Sequence, residues 1–509
     1  MMFTHRGEKK TSGMMLALVA ILGMTITAIV YTFSEGISGN DFWWHIKIGE
    51  WIVENGSVPT TDIFSWHGVA NKIPWTAHEW LADVILYFVH SGLGELGVFA
   101  FSLLAAFLMV GLLWYEAKRY VEKNILIGGL FFVLLAVTTS IFFYGRPHLF
   151  SFFLLYWELK VLFSFMENPA NKGIYTIPVL TCVWSNLHGG SASLSYVICA
   201  VFLVTGIVNI KIGGIESTRL ERKAIWKLLV VTACSIGAIL LNPVGLEVLI
   251  YPYKSFGDQL QMTLISEWRP PDAKQIGDLL LFICPVVLLL IGFFAEQKRI
   301  RLIDLAIMGV FVLLFLRSVR FIMLWYIAAV FCAFPYVPEC KIKPMGEKTE
   351  RRLVALCCLV FVLLIGMSGI QTYETAKDGK LISVTISDDA INAVKEDAPE
   401  RLFNDYNLGE ALIYNEIPVF FDARADLYAH DNIMADGVSL LFLEQANTAL
   451  ETVYVDVDAL IEKYEFDAIL VLKTRALYAY LISHPDRFEC VYEDDSVGYF
   501  SVIQQEEII

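Results

Sequence analysis

The chain has 509 residues, of which 56% are hydrophobic and 18% are charged, and its mean hydropathy is +0.58. Soluble proteins carry about 25% charged residues, so this composition excludes an ordinary soluble protein and indicates a protein that crosses a membrane many times. The formal net charge is -15 and no segment is basic and aromatic enough to bind a nucleic acid, which argues against a nucleic-acid-binding protein.

The acidic residues are concentrated in the C-terminal part of the chain. From residue 374 onward there are 28 acidic and 9 basic residues, whereas the rest of the chain has 25 acidic and 29 basic residues. We therefore predict a transmembrane domain at 1–373 and a separate acidic soluble domain at 374–509. Of the nine cysteines only Cys490 lies in the second domain, which excludes a disulfide within it.

Hydropathy predicts about 11 transmembrane helices, each close to the length that a hydrocarbon core of about 30 Å requires. The first, at 14–33, follows basic residues as a signal peptide does, but no small-residue cleavage site comes after it, so we predict that it is retained. The others are predicted at 97–115, 125–143, 148–166, 174–188, 191–210, 226–242, 277–295, 302–317, 320–337 and 353–372.

The basic residues predict the orientation of these spans. With a cytoplasmic amino terminus, the cytoplasmic loops hold 20 basic residues and the outer loops and span ends hold 8, as the positive-inside rule requires. The segment 79–92 is an alternative twelfth span, but it is short and would reverse the side of the following loop. We predict a helix on the outer surface there. The outer loop 35–96, the loop 246–278 and the acidic domain are then all extracytoplasmic.

The outer loop 35–96 is rich in tryptophan and histidine. A helix is predicted directly after Asp41, with an apolar stripe from Trp44 to Ile52 that is typical of a helix lying in the membrane interface. His45 is one turn after Asp41, so the two side chains can point to the same place. The alternative is that Asp41 only caps the helix and the tryptophans only anchor it.

His78 and Glu79 are neighbours at the other end of this loop. Because adjacent residues of a helix point in different directions, we predict that they do not serve one ligand. Several side chains in the loop suit a metal ion, but their spacing fits neither an HExxH motif nor a paired-cysteine motif. No metal ligand is predicted, and use of a divalent metal stays an open question.

Basic and polar residues also collect at the predicted outer ends of the spans. Ionisable groups at membrane depth are costly and usually functional, and arginine suits bidentate binding of phosphate. A single arginine at a span end is better explained as extending to the surface. Six such residues on one side favour an anion site: Arg146, His148, His188, Arg269, Arg317 and Arg320.

In the acidic domain, predicted helices alternate with predicted strands, which indicates an α/β sheet. The helices are predicted at 387–395, 409–414, 455–464 and 476–483, and the strands at 401–403, 418–422, 467–472, 488–492 and 498–503. Asp422, Arg424 and Asp426 follow a predicted strand, where α/β sheets bind ligands. We favour the alternative, an internal salt-bridge network.

Motifs spread over nearly the whole chain resemble a known family. They are DFWWHIKIGEWIVENGSVPTTDIFSW, PWTAHEWL, GRPHLFSF, WSNLHGG, SEWRPPD, RSVRF, RLFNDYNLGEALI and PVFFDARADLY. They resemble a family of bacterial polytopic membrane proteins that is described as glycosyltransferase-like. Its architecture is similar to the GT-C class, which includes protein O-mannosyltransferases, aminoarabinose transferases and oligosaccharyltransferases.

The resemblance implies a GT-C-like helical membrane bundle followed by an extracytoplasmic α/β domain, in the bacterial inner membrane. It implies transfer of a sugar from a polyprenyl-phosphate donor to a saccharide or protein acceptor. GT-C enzymes carry an essential carboxylate early in the first outer loop, which matches Asp41 as general base, with His45 and Glu79 as further catalytic candidates. Trp44 and His78 join the six basic residues as substrate-binding candidates. No second acidic residue adjoins Asp41 in a DxD or ExD motif, so metal use stays open.

Two other functions remain as alternatives. A transporter of a lipid-linked saccharide or a small molecule is one, because Glu158 and Lys160 lie inside the predicted span 148–166. Against it, the polar features gather at one face of the membrane, whereas transporters bind near the midplane. The other is a non-catalytic envelope-assembly protein whose acidic domain binds a partner through charge.

Overall fold

The computed structural model describes residues 13–38, 41–257, 268–272, 274–295, 299–340, 345–383, 386–429, 432–444 and 455–503. Its first part is helical. The helices are α1 (Met14–Ser34), α2 (Phe42–Asn55), α3 (Trp66–Asn71), α4 (Trp80–Lys123), α5 (Ile125–Phe142), α6 (His148–Glu167), α7 (Ile177–Leu187), α8 (Gly189–Ile207), α9 (Arg222–Ile239), α10 (Leu246–Gly257), α11 (Ile276–Ala295), α12 (Leu302–Arg317), α13 (Ile322–Cys332) and α14 (Glu347–Lys377).

Within the described ranges, five helices are long and apolar enough to cross a membrane, judged by length and composition: α1, α4, α6, α8 and α14. The other predicted spans also coincide with helices. Helix α4 consists of two stretches that meet at Gly94, where φ is 60° and ψ is -152°. Glycine tolerates this conformation because it has no Cβ. The first stretch covers the predicted surface helix at 79–92, and its place relative to a membrane stays a prediction.

Helix α2 is packed inside the protein. Trp44, Ile48 and Ile52 are buried in the same hydrophobic cluster as Phe420 and Leu470 of the C-terminal domain. The prediction that this stripe lies in the membrane interface is therefore wrong. An apolar stripe needs an apolar surface to cover it, and here the C-terminal domain supplies that surface.

The C-terminal domain is a small α/β unit, as predicted. Its helices are α15 (Asp388–Asp397), α16 (Gly409–Tyr414), α17 (Ile433–Phe442), α18 (Val457–Tyr464) and α19 (Ala476–Ser483). Its sheet contains β6 (Leu402–Asn404), β7 (Ala468–Leu472), β8 (Phe488–Glu493) and β9 (Val497–Val502). The strand order is β6-β7-β9-β8, with β6 parallel to β7 and the other pairs antiparallel.

Two sequence predictions for this domain need correction. Residues 419–422 are buried as predicted, whereas Pro418 is exposed, and the segment is not a strand of the sheet, because Val419 pairs as an isolated bridge with Ser65 of the outer loop. Helix α17 was not predicted at all. In both places the chain packs against residues that are distant in sequence, and such contacts leave no local pattern.

Short strands join parts of the chain that are far apart. Strand β1 (Ile37–Ser38), directly after α1, pairs in parallel with β5 (Ile382–Ser383), which follows α14. A second small sheet contains β2 (Lys211–Ile212), β3 (Ile215–Glu216) and β4 (Ile300–Arg301). The β1–β5 pair fixes the start of the outer loop beside the start of the C-terminal domain.

Candidate active site

A cavity of about 170 Å³ is enclosed by the outer loop, the ends of several helices and the C-terminal domain. Nine of the eleven predicted site residues line it: Asp41, Trp44, His45, His78, Glu79, Arg146, His148, His188 and Arg320. The lining residues that were not predicted as site residues include Trp75, Asp83, Tyr251, Trp268, Arg424 and Asp426. The cavity thus collects polar groups from loops that are widely separated in sequence.

Arg269 and Arg317, the other two predicted site residues, do not line this cavity. The Arg269 guanidinium forms an ion pair with Asp278, with Nη1 2.7 Å from Oδ2, and it also donates to Gln275. Its backbone carbonyl accepts a hydrogen bond from Val319, next to Arg320. Arg269 therefore belongs to the local structure around the cavity.

Asp41 and Arg146 face each other in the cavity. Asp41 occupies the N-cap position of α2 but makes no side-chain cap hydrogen bond. Its Oδ2 instead lies 3.0 Å from Nη1 of Arg146, in the turn before α6. The structure therefore favours a cavity role for Asp41 over the capping alternative. The guanidinium orients the carboxylate.

Three imidazole rings surround the Glu79 carboxyl group. Its Oε1 lies 3.2 Å from Nε2 of His188 and 3.8 Å from Nε2 of His78. Its Oε2 lies 3.9 Å from Nε2 of His45. The expectation that the side chains of His78 and Glu79 point in different directions is wrong, because Glu79 precedes the first residue of α4 and helical directions do not apply to this pair. Whether they serve one ligand stays a prediction.

Each of these histidines is oriented through its other ring nitrogen. Nδ1 of His45 lies 2.6 Å from Oδ1 of Asp83, and Nδ1 of His78 lies 3.0 Å from the carbonyl oxygen of Thr76. Nδ1 of His188 lies 2.6 Å from the Ser151 hydroxyl. The Thr76 carbonyl oxygen can only accept, so it holds the proton of His78 on Nδ1 and leaves Nε2 of that ring as an acceptor. The Ser151 hydroxyl can donate or accept, and burial raises the pKa of Asp83 well above its ordinary value, so the partners of His188 and His45 orient their rings without fixing the tautomer.

Burial sets the protonation of this group. It raises the pKa of Glu79 to about 8, and it lowers the pKa of His78. It also lowers the pKa values of His45 and His188 well below the ordinary value. At neutral pH the cavity therefore holds a protonated Glu79 beside neutral imidazoles. Glu79 can donate a hydrogen bond, either to His188 or to a bound ligand.

Glycines permit the close packing that brings these groups together. A Cβ on Gly49 of α2 would lie 2.2 Å from the carbonyl oxygen of Asp83 in α4. The N–H of Gly189 donates to the His78 carbonyl oxygen at 3.1 Å, and a Cβ there would lie 2.9 Å from the same oxygen. The glycines after His188 in the WSNLHGG motif therefore allow the two histidine-bearing turns to meet.

Arg320 and two aromatic side chains form another part of the cavity wall. The Arg320 guanidinium lies 5.3 Å from the ring centre of Trp268, a cation–π distance. The ring of Tyr251 lies 4.0 Å from that of His78. Arg320 and Arg146 together give the cavity two guanidinium groups, which suit a phosphate.

The C-terminal domain reaches the cavity through the segment 422–426. Nη1 of Arg424 lies 2.7 Å from Oδ1 of Asp62 in the outer loop, and Nη2 lies 2.7 Å from Oδ2 of Asp422. This agrees with the favoured salt-bridge interpretation, although the network crosses between domains. Asp426 also lines the cavity and contributes a charge near His78.

The side chains around Glu79 are of types that bind metal ions, namely three imidazoles and a carboxylate. Within the described ranges, however, no group of three or more histidine, cysteine, aspartate or glutamate side chains is arranged to hold a metal ion. Asp41 is engaged by Arg146. The geometry therefore assigns no residue to a metal.

Glu158 and Lys160 in α6 do not pair with each other. Glu158 is fully buried and accepts a hydrogen bond from the Ser195 hydroxyl at 3.0 Å. Nζ of Lys160 lies 2.5 Å from Oε1 of Glu116 in α4. These contacts connect neighbouring helices at two separate places, and neither residue lines the cavity.

The helical part and the C-terminal domain together have the fold of a known membrane protein structure. The chain is similar to the apo crystal structure of an oligosaccharyltransferase from Archaeoglobus fulgidus, with a TM-score of 0.50 and 12% identity over 90% of this chain and 69% of that chain. At this identity the likeness shows the fold alone. No protein-family model and no curated protein matches the sequence.

Two further similar structures are of Archaeoglobus fulgidus oligosaccharyltransferase, one tethered to an acceptor peptide with the NVT sequon and one, AglB, with an inhibitory peptide and a dolichol-phosphate. The first has a TM-score of 0.48 and 11% identity over 95% of this chain and 74% of that chain. The second has a TM-score of 0.48 and 11% identity over 89% and 69%.

Proposed function

We propose that this protein is a GT-C-like glycosyltransferase that moves a sugar from a polyprenyl-phosphate donor to an extracytoplasmic acceptor, in the inner membrane of a bacterium. The observation that carries the proposal is the ion pair between Asp41 and Arg146, inside a cavity that also holds Arg320 and a protonated Glu79. The GT-C-like architecture supports it. A base, two guanidinium groups and an acid are the groups that this reaction needs.

Asp41 acts as general base in the proposed reaction. Its carboxylate removes the proton from an acceptor hydroxyl while the acceptor oxygen forms a bond to the anomeric carbon. The bond between that carbon and the donor phosphate oxygen breaks, and polyprenyl phosphate leaves with the electron pair. Arg146 orients Asp41 and, with Arg320, stabilises the negative charge that develops on the phosphate.

Glu79 and the histidines assist the leaving group. A protonated Glu79 donates a hydrogen bond to a phosphate oxygen, and His188, 3.2 Å away, holds the carboxyl group in place, with His45 beside it. Trp44 and His78 line the same cavity and offer faces against which a sugar ring can pack. The acceptor is a saccharide or a protein.

Release of polyprenyl phosphate by purified protein in detergent tests the proposal. Polyprenyl-phosphate-linked hexoses and pentoses are offered with cell-envelope extract as the source of acceptor, and the released lipid is measured by mass spectrometry. Asp41→Asn should lower the rate at least about a hundredfold, because removing a general base costs about 10²–10⁴. Glu54→Gln, an exposed residue of the same helix, should have no effect. Unchanged release by Asp41→Asn would exclude this base.

A further inference from the structure

Helix α16 of the C-terminal domain lies beside α2 of the outer loop. The rings of Trp43 and Tyr414 have centres 4.3 Å apart, and Nζ of Lys47 lies 3.1 Å from Oε1 of Glu416. The two segments run in the same direction, because the contact partners advance together along both. The residues that precede these contacts are Asp41 at the start of α2 and Glu410 at the start of α16.

Glu410 is buried against Asp41. It is 1% exposed, and within the described part of the chain no N–H group donates to either of its carboxyl oxygens. Asp41 lies within hydrogen-bonding distance. Gly409 fixes this position, because a Cβ there would lie 2.6 Å from the carbonyl oxygen of Phe421. The start of α16 therefore cannot hold a larger residue without moving Glu410.

Burial, together with the neighbouring carboxylates, keeps Glu410 protonated. Burial raises its pKa well above the ordinary value, and the Asp41 carboxylate and Asp422 raise it further, while Arg146 acts in the opposite direction. The Tyr406 hydroxyl, which also faces this pair, is buried and its pKa is raised. Two carboxyl groups therefore share one proton, and their single negative charge is matched by the Arg146 guanidinium.

We propose that Glu410 is a positioning residue for the general base and that the C-terminal domain completes the catalytic centre through it. The proposal rests on the proposed function of Asp41. The Glu410 hydroxyl donates to Asp41 while Arg146 pairs with it, so the carboxylate is held between two domains. When Asp41 accepts the acceptor proton, both carboxyl groups become neutral. The Arg146 charge is then available to the leaving phosphate.

Three variants test this assignment in the release assay described above. Glu410→Ala removes the donor, so release should fall about tenfold or more. The acid limb of its pH profile should move to higher pH, because an Asp41 carboxylate without the donor has a higher pKa. Glu410→Gln keeps an N–H donor and should recover most of the rate and the wild-type acid limb. Glu416→Gln, which changes an exposed carboxylate near the same helix, should behave as wild type.

Two outcomes overturn the proposal: a wild-type rate and pH profile for Glu410→Ala, or a rate for Glu410→Gln as low as that of Glu410→Ala. A melting experiment distinguishes failure of this proposal from failure of the proposed function. Because the pKa of Glu410 is raised in the folded protein, its stabilising effect is present at low pH and is lost as pH rises. The melting temperature of wild type should therefore fall more steeply with rising pH than that of Glu410→Gln. When Asp41→Asn is added to both proteins this difference should become smaller, whether or not sugar is transferred.

Discussion

Asp62 and Arg424 are 362 positions apart in the chain and form a fully buried ion pair between the outer loop and the C-terminal domain. The Asp62 carboxylate also accepts from the backbone of Phe64 and Ser65, and Arg424 is shared with Asp422. This network holds the segment 422–426 in the cavity wall. Docking of the domain and assembly of the cavity are thus one structural event.

Removal of one partner should be strongly destabilising. Asp62→Ala leaves the Arg424 charge buried with a single carboxylate, and breaking a buried pair costs about 3–5 kcal/mol. The apparent melting temperature in detergent, followed by tryptophan fluorescence, should fall by several degrees. The control is Glu465→Ala, which removes the exposed partner of Arg401 and should cost less than about 1 kcal/mol. Equal effects of the two variants would contradict the structural role of Asp62.

Arg320 should bind the donor phosphate. A hydrogen bond between charged groups contributes about 1.5–3 kcal/mol, so Arg320→Gln should weaken binding of a short polyprenyl phosphate about 10- to 100-fold. Quenching of tryptophan fluorescence on titration measures this, because Trp44, Trp75 and Trp268 line the cavity. Arg269→Gln loses the contacts of the guanidinium with Asp278 and Gln275, none of which lines the cavity, and should bind as wild type. Weaker binding by both variants alike would argue against a specific phosphate contact.

Glu79 should make transfer sensitive to alkaline pH. Its pKa is about 8, so the proton that it donates to the leaving group is lost above that pH. The initial rate of lipid release should fall across pH 8 in wild type. In Glu79→Gln the alkaline fall should disappear, at a lower plateau, because the amide is a neutral donor at every pH. An alkaline fall that persists in Glu79→Gln would have to come from another group.

The same carboxyl group should affect stability. Folding raises the pKa of Glu79 from 4.5, so its contribution is complete at pH values below 4.5 and decreases as pH rises to about 8. Melting temperatures of wild type should therefore decline relative to Glu79→Gln between these pH values. A constant difference between the two proteins over this window would show that Glu79 is ionised in the folded state.

Gly49 should be intolerant of a side chain. Gly49→Ala would place Cβ against the Asp83 carbonyl and force α2 away from α4, which costs about 1–3 kcal/mol. Both the melting temperature and the rate of lipid release should fall, because His45 is on α2 and bonds to Asp83. Gly111→Ala, in a part of α4 where nothing lies within 4 Å of the added Cβ, is the matched control. A comparable loss in the control would indicate a general effect of glycine replacement.

The sequence determined much of the local structure. Helix α2, the helix capped by Ser387, helix α16 and the hairpin of β8 and β9 all follow from hydrophobic period, capping residues and strand patterning. It also pointed to most of the polar residues in the cavity, because charged groups at the ends of apolar segments are costly and stand out. These signals act within a few residues, so one sequence is enough to read them.

Only the tertiary structure decided which of those residues meet. Arg320 lines the cavity, whereas the neighbouring Arg317 does not. The apolar stripe of α2 packs against the C-terminal domain and not against a membrane. Asp83 and Glu410 gave no signal, since one lies in the predicted surface helix at 79–92 and the other in a short helix of the acidic domain, where a charged residue is ordinary. Their roles arise from packing between segments that are distant in the chain, where burial and the charge of a neighbour, rather than residue type, set the protonation and orientation of a carboxyl group.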